Sequence, residues 1–422
     1  MLTDSAGNST TDTIDITLVN KPKLDSGMVP VIYSESAEAW IIADENGGEW
    51  YDYSSDEAQW ANIMLQDGLT VEGDIEVLDD NKTALVGKEI TTSGSMFVWI
   101  PRYMYQIPSA NYHTSTAGEI NIKFLKGTTN IATDETNVEI ANASGADNWN
   151  VHPAFCDGNK TNYANGEWDK DITGIWVAKF EASSSNPNAT YGGGDTADLN
   201  VKVLPNVASW RGITANNMFE VCRKMSNNNN IYGISSISDM HIMKNSEWGM
   251  VSYLTSSKYG ANGRVWSNSN SSYLTGNAGT SENTAQTSNT YSYNTANGMK
   301  ASTTGNVYGI YDMAGGAAEY TATYLNFEGV NNSAYIINII NAQFKYKSLY
   351  KNDETTYGDA IYETPEWFQA GMSALTNDYP LVYRGGSDTT TGISNFRNIF
   401  GLGKGSGVST GGRSFRPVCI VE

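Results

Sequence analysis

The side chains that most often carry chemistry are sparse in this chain. Its three cysteines, Cys156, Cys222 and Cys419, show no paired spacing, and its three histidines, His113, His152 and His241, stand far from one another. A zinc site draws several such ligands from a short stretch, so none is expected, although one disulfide beside a buried free thiol stays open. The dispersed histidines also yield no Ser-His-Asp arrangement. Asp157-Gly158-Asn159-Lys160-Thr161-Asn162 and Asp169-Lys170-Asp171 have the flavour of calcium loops. They lack the twelve-position ligand pattern and its terminal Glu, and a solvated acidic loop accounts for them. Gly192-Gly193-Gly194 and Gly401-Leu402-Gly403-Lys404-Gly405 are Gly-rich without the Walker spacing. Carboxylate pairs abound, but none is set apart by its surroundings as a glycosidase pair would be.

A frame stands out instead. Arg384-Gly385-Gly386-Ser387 reads as a turn, and Ser414-Phe415-Arg416-Pro417-Val418 as a closing strand; the residues between are small, polar and aromatic with little apolar period. Such a stretch, held by rigid strands at both ends, is the pattern of a binding surface. Arg384 and Arg416 themselves are expected to lock the sheet through carboxylate or carbonyl hydrogen bonds.

The elements that must hold this frame are short. Of 422 residues, 40% are hydrophobic, with 11 Trp, 25 Tyr and 11 Phe, which is enough for a sizeable core. Only 17% are charged and 41 are glycine, so many turns are expected. Acidic residues outnumber basic ones 46 to 26, for a net charge of -20, a field that repels phosphate backbones. The longest apolar run, Tyr335-Ile336-Ile337-Asn338-Ile339-Ile340, is far too short to span a membrane, and the first residues show no signal peptide.

Buried strands are predicted over 96–103 and 174–182, and short strands or hairpins over the aromatic-rich stretch 28–61. Met218, Phe219, Val221, Cys222 and Met225 recur at helical spacing after Thr214, a candidate N-cap; Trp248, Val251 and Leu254 mark a second helix. Residues 256–304 read as a long ordered loop.

Several blocks then come in a familiar order: Val98-Trp99-Ile100-Pro101, Trp176-Val177-Ala178-Lys179-Phe180-Glu181, Met243-Lys244-Asn245-Ser246-Glu247-Trp248, the long block from Gly305 to Tyr320, and the two brackets. The chain resembles the formylglycine-generating-enzyme family, which is built on the C-type-lectin fold. The resemblance implies an α+β, C-type-lectin-like fold with long ordered loops and an N-terminal β accessory region. Within the Gly305–Tyr320 block, Asp312 is expected to cap the following turn, and Glu319 to be buried only if paired. Three parts are expected. Residues 1–20 resemble the last hairpin of a bacterial immunoglobulin-like repeat, 21–95 form the accessory β region, and 96–422 form the C-type-lectin-like domain.

The family's chemistry does not carry over. Thr390 and Asn395 stand where the enzyme's two cysteines would be, and neither binds soft copper or supplies a thiolate. Gly315-Gly316 replaces the Gly-Asn before Glu319, so the family's calcium site lacks a side-chain oxygen. No cofactor is expected, with calcium left open, and no catalytic or metal-binding residue is assigned.

A non-enzymatic branch of the same fold is the nearer resemblance: the variable proteins of diversity-generating retroelements and related bacterial surface or phage adhesins. It implies an exposed ligand-binding face made of Asp388, Thr389, Thr391, Ser394, Asn395, Asn398, Phe400, Lys404, Ser406, Val408 and Thr410. Small polar groups around an aromatic anchor suit such a surface. The implied function is extracellular binding of a protein or glycan, at a cell or virion surface or within a pilus-like assembly. A metal oxidase with a relocated site, or a structural spacer, are the alternatives from other classes.

Overall fold

The computed structural model describes residues 20–160, 163–186, 193–325, 333–352, 355–386 and 397–421, with the backbone of 2–3 and 9–10. Leu2–Thr3 and Ser9–Thr10 pair antiparallel; residues 11–19 of the hairpin expected over 1–20 lie outside the described residues. Elements are numbered below in chain order, counting those that position the site.

One sheet organises the interior. Its strands are β1 (Met28–Ser34), β2 (Ala39–Ile42), β3 (Asn62–Leu65), β4 (Met96–Pro101), β5 (Gly174–Ala178), β6 (Asp239–Ile242) and, from the end of the chain, β12 (Pro417–Ile420). They lie in the order β6-β12-β5-β4-β3-β1-β2, and every pairing is antiparallel. β4 and β5 are buried along their whole lengths. That is why both read as near-continuous apolar runs rather than alternating ones. The 21–95 region, expected beside the main domain, is built into this sheet: Ile63 pairs with Phe97 across residue 95, and one core embraces both sides.

Two helices flank the sheet. α1 (Ala215–Lys224) buries Met218, Phe219, Val221 and Cys222, the predicted face. Thr214 is extended at its start but makes no side-chain cap; the Asp195 carboxylate takes that role, accepting from Thr214 N–H at 2.9 Å and from Asn217 Nδ2 at 2.7 Å. α2 (Asn245–Thr255) is buried on every side. Glu247 reaches back to accept from the Lys244 N–H at 2.7 Å, the acidic half of a capping box.

A second sheet carries the frame. It contains β7 (Ala318–Leu325), β8 (Ser348–Tyr350), β9 (Leu381–Arg384), β10 (Leu402–Gly405) and β11 (Arg413–Phe415). β7 pairs antiparallel with β9 and parallel with β8 and β11, while β10 closes on β9. Lys179 ties the Gly305–Tyr320 block to the first sheet, donating to Asn62 Oδ1 at 2.9 Å and to the carbonyls of Val307 and Gly309 at 2.7 and 2.8 Å. The whole is strand-rich with few helices, an α+β arrangement. Cys222 and Cys419 are buried thiols, Cys156 is half-buried, and none of the three is in a disulfide. Among the described residues no helix is long and apolar enough to cross a membrane.

Candidate binding site between two buried arginines

The segment between the two sequence brackets is held by arginines that the interior swallows completely, Arg384 and Arg416. A guanidinium cannot shed its charge, so each must find oxygen for its donors.

Arg384, the last residue of β9, finds carbonyls. Its Nε donates to Gly401 O at 2.8 Å, Nη1 to Asp359 O at 2.9 Å and Asn245 Oδ1 at 2.6 Å, and Nη2 to Ala360 O and Ile399 O at 3.1 and 3.3 Å. Trp248, from α2, adds its indole N–H to Ile399 O at 2.6 Å. Two of these acceptors, Ile399 and Gly401, lie just after residues 387–396, so the residue that precedes that segment also clasps the chain that follows it. Gly385 turns the chain out of the strand with φ +76; a Cβ there would face the Trp248 ring at 3.3 Å and strain the backbone. Burial lowers Arg384 to about 10 and raises the nearby Asp359 carboxyl to about 6.

Arg416, between β11 and β12, finds a carboxylate. Nε donates to Glu319 Oε2 at 2.9 Å and Nη2 to Oε1 at 2.5 Å, a bidentate pair, with Ala178 O and Tyr311 O taking further bonds at 2.7 and 2.9 Å. Glu319 is thus buried and paired, as the sequence required. Two more buried acids crowd this centre. Glu181 Oε1 accepts from Ala317 N–H at 2.8 Å. Asp312 does not cap the turn after it; it accepts from Gly276 N–H, from Asn268 Nδ2 at 2.8 Å and from Glu181 N–H at 3.3 Å, binding three loops together. Burial, with Asp312 and Glu319 close by, pushes Glu181 far above the usual carboxylate range. Burial raises Glu319 to about 7 against the pull of Arg416.

The calcium position that the family resemblance implies falls in this centre. Both Glu319 oxygens are engaged by a fixed guanidinium, and the space beside Gly316 is filled by Glu181, whose Oε1 a Cβ at 316 would meet at 2.2 Å. A cation there would face Arg416 rather than a free carboxylate cage, so these residues do not fit calcium. The copper positions, Thr390 and Asn395, lie outside the described residues, as do Asp388, Thr389, Thr391 and Ser394.

The described part of the expected face divides. Asn398 and Phe400 belong to the interior, 3% and 1% exposed, which corrects their assignment to an open surface. Phe400 packs at 5.3 Å from Trp367 and 6.0 Å from Phe368, a ring cluster formed by a turn far upstream. Asn398 Nδ2 satisfies the carbonyls of Trp367 and Phe368 at 3.2 and 3.1 Å. Ser406 is also buried, for the chain here presses against α1, where Ala215 N–H donates to Gly407 O at 2.9 Å. Lys404, Val408 and Thr410 are half-buried and reach the surface. Lys404 lies opposite Val382 on β9, and its face carries the small apolar cluster of Leu325, Ile361, Leu375, Val382 and Leu402.

Sequence reasoning missed Tyr383 and Arg413. On the other face of β9, Tyr383 is half-buried and the Arg413 guanidinium lies 3.7 Å above its ring. The available signal was the alternation of glycines in 401–405. Gly403 pairs with Tyr383, and a Cβ on it would sit 2.0 Å from that ring. These glycines clear room for tyrosines, not for phosphate.

No family model matches this chain and no curated protein matches it. Among solved structures, a Treponema denticola variable protein 1 is similar at 15% identity over 77% of this chain and 96% of that one, with a TM-score of 0.23. At that score the likeness carries no argument, and the functional reading below rests on the residues.

Proposed function

We propose that this chain is a ligand-binding protein of C-type-lectin-like fold, of the kind found in diversity-generating-retroelement variable proteins, and that it binds through the segment 387–396 with Lys404, Val408 and Thr410 beside it. The observation that supports this reading is the clasp: Arg384 and Trp248 hold Ile399 and Gly401 from the interior, independently of what residues 387–396 are. A scaffold closed at both ends tolerates any small or polar composition in between, and binding energy can then be placed there without loss of folding. The partner is an extracellular protein or glycan, and the setting a cell, pilus or virion surface. No catalytic group and no cofactor takes part in this reading.

The test exchanges residues 388–395 for a Gly/Ser stretch of equal length and screens parent and variant against panels of extracellular proteins and glycans. The expected outcome is loss of the parent's binding with an unchanged unfolding midpoint. Lys404→Ala should change stability by no more than about 0.5 kcal/mol, whereas Phe400→Ala should cost about 3–5 kcal/mol. Binding that survives the exchange, or an exchange that unfolds the protein, would overturn the proposal.

A further inference from the structure

A second recognition site lies away from the frame, at a smaller sheet. Its strands are Tyr103–Gln106 in the middle, Asn121–Phe124 on one side and Asn150–Val151 on the other, which leaves Asn121–Phe124 with an outer edge. Along a strand, successive residues aim their N–H and C=O to opposite sides. Leu125 N–H donates inward to Arg102 O at 3.1 Å, so Ile120, Ile122 and Phe124 face outward. Each neighbour is half satisfied: Ile120 N–H donates to Ser256 O at 2.9 Å, and Phe124 O accepts from Thr133 N–H at 2.8 Å. Between them, the N–H and C=O of Ile122 have no partner among the described residues, although Ile122 is only 6% exposed. Backbone groups so placed are nearly always paired.

A groove of about 470 Å³ opens at this gap, within the range of small-ligand sites. Thr133 and Asp134 line it beside Phe124, whose ring meets that of Tyr259 at 4.9 Å, and the Lys258 ammonium lies 4.9 Å from the Tyr259 ring. Trp149 adds an apolar ring beneath Lys123, whose Nζ lies 5.7 Å from its centre.

Geometry selects the occupant. In a trans amide the N–H and C=O point in opposite directions, so one amide group cannot serve both atoms of Ile122. An extended amino-acid residue presents its own N–H and C=O to the same side, the complement that Ile122 needs. The bonds already made by Ile120 N–H and Phe124 O block a two-bond pairing at either neighbour, which limits the full match to one residue and excludes a full added strand. Charge around the slot is balanced: Lys123 pairs with Asp134 at 2.7 Å, and Lys258 and Glu119 complete the charged lining. We infer that this groove binds a short extended peptide by a single antiparallel bridge to Ile122, with charges of both signs flanking an apolar middle residue. The inference is independent of the role given to residues 387–396.

The experiment uses the full ¹⁵N-labelled chain and a pool of acetyl-X-Val-Z-amide tripeptides, X and Z being Glu or Lys. The Ile122 amide resonance should shift on titration, and its hydrogen exchange should slow at least tenfold at saturation. The same pool N-methylated at the central Val lacks the N–H that Ile122 O would accept, and should bind at least tenfold more weakly. No response at Ile122, equal binding of the methylated pool, or a response to maltose in place of the peptides would each overturn the inference.

Discussion

The two bracketing arginines are equally buried and solve the same problem in opposite ways. Arg416 meets a carboxylate and sits among three acids; Arg384 meets four carbonyls and one amide oxygen, with Asp359 contributing its backbone. The first arrangement is an ionic centre whose strength depends on protonation. The second is a cation held by uncharged acceptors, and its strength depends on donor geometry. One holds the domain together at the junction of the two sheets, and the other holds the chain on either side of residues 387–396.

The largest effect should come from Arg416→Ala. It leaves Glu319 buried without its partner, and losing one side of a buried pair costs about 3–5 kcal/mol; urea unfolding measures it. Arg384→Lys keeps the charge but supplies one point donor where five were arranged as a fork. Carbonyls left unpaired cost about 1–3 kcal/mol, and limited proteolysis should then cut near residues 387–396 while the rest resists. An equal loss from both substitutions, with no selective cleavage, would erase the distinction drawn here.

The smallest effect concerns pH. A carboxyl whose folded pKa is raised binds more protons folded than unfolded, so its contribution is fully present below the unfolded value and lost as pH rises through the folded one. Glu319, at about 7, places that window between about pH 4.5 and 7. Burial holds His152 down to about 3, which acts in the opposite sense below its ordinary value, so a difference between variants is the clean measurement. Glu181→Gln removes a carboxyl that burial holds well above its usual range. It should flatten the decline in stability between pH 5 and pH 8 relative to the parent, and an unchanged slope would mean that Glu181 is ionised.

Much of the scaffold was legible because its signals are local. The apolar runs of 96–101 and 174–178, the helical spacing before Met225 and the need to pair Glu319 all follow from neighbouring residues. The site was less legible because its environment is assembled at long range. Phe400 reads as an exposed aromatic until Trp367 and Phe368 close over it, and no periodicity in 397–405 announces that contact. Asp312 reads as a turn cap until Asn268 and Gly276 arrive from a long loop with no regular apolar period. The glycines at 403 and 405 have meaning only opposite Tyr383 and Tyr320.

The pairing of Ile63 with Phe97 has a consequence for anyone moving this scaffold between proteins. A cut at residue 95 would strip a fully apolar central strand of its neighbour and turn it into a raw edge, an invitation to fibrillar or swapped association. The portable unit therefore starts upstream of Met28, and grafts or chimaeras joined later in the chain should precipitate.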